Sequence, residues 1–119
     1  MQYKYEKLEV WQLSKGLIGE VYALTSKFPQ SENYCLTSQT RRAVTSVSLN
    51  IAEGDTRASR KEFAQFIRIS LGSLIEVDTC LKIAIELKYI NQKEYDEKVS
   101  GLIEKIYFKL IALERSIKI

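Results

Sequence analysis

Between Ser59 and Leu87 the chain runs without a proline and keeps apolar side chains at heptad spacing, which limits the possible folds more than any other feature. Phe63, Ser70, Val77 and Ala84 form one heptad row, and Ile67, Leu74 and Leu81 interleave with it. The stretch opens on Ser59-Arg60-Lys61-Glu62, a capping box in which the Ser hydroxyl and the Glu carboxylate each satisfy an orphaned amide. A helix of about 28 residues follows, about 42 Å long at 1.5 Å per residue. An apolar stripe of that length needs partners.

Three more periodic segments are available. One runs from Leu8 to Lys27, striped by Leu8, Trp11, Ile18, Val21, Thr25 and Phe28, and Phe28-Pro29-Gln30-Ser31 ends it because the residue before Pro leaves the helical region. A second spans Ser38 to Glu53, with Thr37 as N-cap, Gly54 as stop and Leu36, Thr40, Ala43, Val44, Val47 and Ile51 as stripe. Gly54 to Ala58 reads as a loop. The last runs from Gln92 to Ser116, capped by Asn91 and Glu94 and striped by Tyr95, Val99, Leu102, Ile106, Leu110, Leu113 and Ile117. Long helices joined by short connections are antiparallel neighbours, so the expected fold is all-α, an antiparallel up-down-up-down four-helix bundle forming one domain over 1–119.

Composition narrows the chemistry. At 119 residues, 45% apolar and 28% charged, the chain can bury a core without disulfides or a structural metal. It contains no His, which excludes Ser/His/Asp and Cys/His hydrolases, imidazole-dependent zinc sites and Glu-x-x-His di-iron bundles. Cys35 and Cys80 lie 45 residues apart with no Cys-x-x-Cys, so a reducing cytoplasm is the expected compartment. No apolar run is long enough for a membrane span, and the charged N-terminus lacks a signal-peptide core. Glu76 and Asp78 are two residues apart and point to different helix faces, and the glycines at 16, 19, 54, 72 and 101 form no phosphate loop. No enzyme, cofactor or metal is expected.

Two surface features remain. At about 100° per residue, Ile69, Ile83 and Leu87, with Gly72 and Cys80, form a second apolar strip well over a quarter-turn from the heptad rows, and Leu49 of the second helix lies opposite its own core stripe. Leu49, Ile69, Gly72, Ile83 and Leu87 are therefore the expected self-association face, although single exposed aliphatics are ordinary. A mid-helix Gly costs about 1 kcal/mol relative to Ala, which close helix approach would explain. Charge is also uneven. Residues 1–35 carry four basic and four acidic groups, whereas residues 36–61 carry Arg41, Arg42, Arg57, Arg60 and Lys61 against Glu53 and Asp55. That +3 equals the net charge of the whole chain. The arginine fork matches phosphate, and the start of the third helix adds free amides, so these five residues are the candidate nucleic-acid contacts. The competing reading pairs Arg41 and Arg42 with acids of a neighbouring helix or subunit.

The string Leu36-Thr37-Ser38-Gln39-Thr40-Arg41-Arg42-Ala43, followed by Asn50-Ile51-Ala52-Glu53-Gly54, resembles the four-helix-bundle proteins encoded in intervening sequences of 23S rRNA genes. Lys7-Leu8-Glu9-Val10-Trp11-Gln12, Ser59-Arg60-Lys61-Glu62-Phe63, Gly72-Ser73-Leu74 and Leu87-Lys88-Tyr89-Ile90 extend the resemblance over about residues 5–117. The family commonly has Pro-Ser where this chain has Ser48-Leu49, and Gly where it has Lys88. The first departure is expected to straighten the second helix, the second to remove an easy left-handed cap. The resemblance implies a barrel-like homopentamer. It also implies kinship with the basic accessory protein of diversity-generating retroelements, which associates with a reverse transcriptase and nucleic acid; the matching basic positions are Arg41, Arg42, Arg57, Arg60 and Lys61. Two functions are thus expected: a non-enzymatic, oligomeric RNA- or DNA-binding accessory protein, or a protein-interaction scaffold that binds no nucleic acid.

Overall fold

A computed structural model describes residues 1–117; positions 118 and 119 of the expected domain lie outside the described residues. The chain forms α1 (Glu9–Thr25), α2 (Leu36–Asp55), α3 (Arg60–Glu86) and a fourth rod made of α4 (Gln92–Tyr95), a π-helical turn (Asp96–Ser100) and α5 (Gly101–Ile117). Short 3-10 turns at Lys4–Lys7 and Gln30–Glu32 precede α1 and α2. Helix α2 packs on α1 and α3, α3 packs on α5, and α1 closes onto α5, so helices adjacent in sequence are adjacent in space. This is an all-helical up-down-up-down four-helix bundle, and no strand occurs among the described residues. Its 44 Å long axis reflects the 27 residues of α3.

The heptad rows of α3 fill the core: Ile67, Leu74, Val77, Leu81 and Ala84 are fully enclosed, opposite Val44, Val47 and Ile51 of α2 and Ile106 and Leu110 of α5. Small hydroxyl residues let helices approach closely. Ser70 Oγ donates to the Val47 carbonyl at 2.8 Å, and Ser14 Oγ donates to Ser48 Oγ at 3.2 Å. Helix α2, with Ser48 near its middle, runs unbroken from Leu36 to Asp55.

Several local expectations need correcting. Helix α2 begins at Leu36, whose amide donates to Glu32 Oε1 at 3.2 Å; Thr37 is therefore inside the first turn, not its cap, and its buried hydroxyl has no partner among the described residues. Gly54 does not stop the helix in a left-handed conformation, since no Gly has positive φ. A Cβ there would lie 2.7 Å from Phe66 Cβ and 3.0 Å from Phe63 Cδ1, so Gly54 serves the close approach of α2 and α3. Only half of the first capping box forms: Ser59 Oγ accepts from the Glu62 amide at 3.0 Å. The Asn91 and Glu94 box is complete, with reciprocal bonds of 2.8 and 3.1 Å. Cys80 faces the core rather than the outer strip, and burial pushes its thiol up. In the fourth rod the π turn inserts an extra residue, so Tyr95, Val99 and Ile103 face inward and Leu102 is only half-buried.

Lys88 takes φ 64° without being Gly. Its amide donates to the Ile85 carbonyl at 3.0 Å and that of Tyr89 to the Ala84 carbonyl at 2.9 Å, the bond pair of a Schellman cap. The cap forms despite the missing glycine because both bonds and the buried Ile90 hold the chain in that turn.

Candidate nucleic-acid interface

The five basic residues fall into two groups. Arg57, Arg60 and Lys61 sit at the turn joining α2 to α3, whereas Arg41 and Arg42 lie near the start of α2, about 22 Å away along the helix. At the turn, Arg57 Nη2 donates to Glu53 Oε1 at 2.6 Å, and its guanidinium lies 4.8 Å from the centroid of Phe66. Gly54 lies against the Cβ of the same Phe66. Arg60 donates to the Ser116 carbonyl at 3.1 Å. Lys61 is exposed and has no ion-pair partner among the described residues.

The 3-10 turn at Lys4–Lys7 packs against α2 and adds Lys4, a contribution missed in the sequence because no helical spacing links residue 4 to residue 55. Lys4 Nζ lies 4.0 Å from Asp55, whose side chain is only 4% exposed. Both acids of the 36–61 segment are thus engaged, Glu53 by Arg57 and Asp55 by Lys4. Phosphate oxygens could be held there by Arg60 and Lys61 with the first amides of α3.

The second group differs. Arg41 Nε donates to Thr25 Oγ1 at 2.9 Å and its guanidinium stacks 4.5 Å from the Tyr22 centroid, so it ties α2 to α1. Arg42 is exposed and forms part of the wall of a polar groove between α2 and α3.

The apolar positions read as a self-association face are at the surface. Leu49, Ile69, Ile83 and Leu87 are between 44% and 65% exposed, and a Cβ at Gly72 would meet nothing within 4 Å. Ile75 and Phe108 are exposed too, beside the α3–α5 groove. The heptad arithmetic passed over Ile75 because it lies at an angle between the two strips. In that groove Tyr95 Oη donates to Asp78, and Lys82 pairs with Asp78 at 2.8 Å. Burial, followed by this bond, pushes Tyr95 up to about 12.

The model of the 23S rRNA-intervening sequence protein family matches residues 6–111. The chain belongs to that family. Among solved structures, it is similar to a protein of unknown function from the S23 ribosomal protein family of Bacteroides thetaiotaomicron, with a TM-score of 0.80 and 23% identity, covering 88% of this chain and 97% of that one. At that identity the likeness concerns the fold, and the four-helix bundle is shared. No curated protein matches the chain. No helix among the described residues is long and apolar enough to cross a membrane, and no cluster of metal-ligating side chains occurs among them.

Proposed function

We propose that this member of the 23S rRNA-intervening sequence protein family is a non-enzymatic, self-associating accessory protein that binds nucleic acid by phosphate contacts. One observation carries the reading: residues 36–61, from α2 to the first two residues of α3, hold a charge equal to the net charge of the chain, the two acids of that segment are engaged, and Lys61 and Arg42 stand unpaired among the described residues. Phosphate contacts orient a protein without reading sequence, so affinity should respond to salt more than to base composition.

Self-association supports the reading, since several copies would multiply a patch too small for one chain to use alone. The outward strip of α3 and Leu49 on α2 supply apolar surface that the single bundle leaves uncovered. Light scattering should give a multiple of the 13.7 kDa chain mass, with a pentamer the expected multiple.

The alternative is a protein-interaction scaffold. It draws on Arg41, Arg57 and Arg60, each of which already has an intramolecular partner. A salt titration with an unrelated RNA separates the two. The nucleic-acid reading predicts a steep fall in affinity with salt, and a slope shallower by about 1 in Arg60→Ala and again in Lys61→Ala, because each variant neutralises one phosphate fewer. Undetectable binding at low salt leaves only the scaffold.

A further inference from the structure

The α2–α3 groove is built differently from the basic turn. It is an open groove of about 510 Å³, wide enough for a nucleobase, and its lining is mainly polar. Two bridges cross it: Gln39 Nε2 donates to Glu76 Oε2 at 3.2 Å, and Ser46 Oγ meets Ser73 Oγ at 2.9 Å. Arg42 lies between them in sequence, on the α2 wall. The ring of Tyr34, 96% exposed, stands at the mouth just before α2.

We infer that this groove takes one unpaired nucleotide of a single-stranded nucleic acid, preferably guanine; the inference rests on the nucleic-acid reading above. Each requirement of such a ligand has a counterpart. Arg42 supplies the phosphate fork. The Tyr34 ring has no packing role to leave, and an exposed aromatic face is what a splayed-out base stacks on. Glu76 supplies a carboxylate whose Oε1 has no partner among the described residues, held at its other oxygen by Gln39. Guanine presents adjacent N1–H and N2–H donors on its Watson–Crick edge, matching the two oxygens of a carboxylate, whereas uracil presents only N3–H. In a duplex that edge is already paired, so the groove discriminates against double strands.

The test uses fluorescence anisotropy with RNA heptamers of uridine carrying a single central guanosine, their all-uridine counterparts, and a duplex of matched length. The full chain should bind the guanosine heptamer at least about 5-fold more tightly than the all-uridine one, from the 1–3 kcal/mol of a good bidentate pair. Tyr34→Ala should weaken single-strand binding by about 5-fold or more and leave duplex binding unchanged. Glu76→Gln should abolish the guanosine preference, bringing the affinities for the two heptamers within about 2-fold of each other, and Arg42→Ala should lower the single-strand salt slope by about 0.7. All three side chains are exposed, and circular dichroism checks that the variants stay folded. Unchanged single-strand binding in Tyr34→Ala, or a guanosine preference surviving in Glu76→Gln, overturns the groove and leaves the phosphate reading standing. Absence of binding to every probe at low salt overturns both.

Discussion

Gly54→Ala is the sharpest perturbation available, because it sets local propensity against tertiary packing at one residue. Gly54 is helical and its φ is not positive, so the backbone itself tolerates a side chain. On propensity alone Ala would gain up to about 0.5–1 kcal/mol there. The added methyl, however, would meet Phe66 Cβ at 2.7 Å and Phe63 Cδ1 at 3.0 Å. The first contact is the stem of a side chain fixed to α3 and cannot swing aside, so the helices must separate there. Overpacking of this kind costs about 1–3 kcal/mol. The net expectation is a loss of about 1–2 kcal/mol, a fall in Tm of roughly 3–10 °C for a chain of this size. Urea unfolding followed by circular dichroism measures it, with Gly16→Ala as control, since a Cβ there meets nothing within 4 Å and should stabilise by a few tenths to 1 kcal/mol. Displacing Phe66 also moves the surface on which Arg57 lies, so nucleic-acid affinity should fall with stability. Equal stability of Gly54→Ala and wild type would refute the claim that this glycine sets the α2–α3 spacing.

Lys88→Gly relieves a left-handed φ of 64° worth about 1–2 kcal/mol, offset by about 0.4–1 kcal/mol of extra freedom in the unfolded chain; the urea midpoint should rise by a net 0.5–1 kcal/mol with unchanged m-value. Tyr95 is held up at about 12 by burial first and by its bond to Asp78 second. A raised folded pKa means a contribution fully present below about pH 10 and lost as pH rises from there through about 12, so Tm should fall over that window, and fall less in Tyr95→Phe. Gly72→Ala should stabilise each bundle by about 0.5–1 kcal/mol yet shift sedimentation toward smaller species, if α3 meets a second copy closely there. A more stable variant of unchanged association would remove Gly72 from the interface.

Much of the fold is visible in local patterns. The α3 heptads, the Asn91 box and the Pro29 break are each readable from a few neighbouring residues, because helix periodicity and capping are short-range physics. The misreadings share a different cause. Gly54 resembles a helix stop when only its neighbours are considered, and only the aromatic rings of α3 show why a glycine is needed. Thr37 has the side chain of a cap, but Glu32 reaches the first amide from the preceding turn. Lys88 is a poor residue for a left-handed cap, and two backbone bonds impose it. The charge imbalance in residues 36–61 is equally legible, yet its division into two groups is not, since that depends on the length of α2 and on a 3-10 turn that brings Lys4 beside Asp55.

By itself, then, the sequence determined helix number, order and antiparallel arrangement, the inward stripe of α3 and the segment holding the excess charge. These follow from periodicity and from the short connections between helices. Tertiary structure alone decided which polar groups meet across helices: Gln39 with Glu76, Ser46 with Ser73, and Arg41 with Thr25. Those pairs join residues 16 to 37 positions apart, and whether they face one another depends on helix rotation and spacing, which close packing of the whole core fixes.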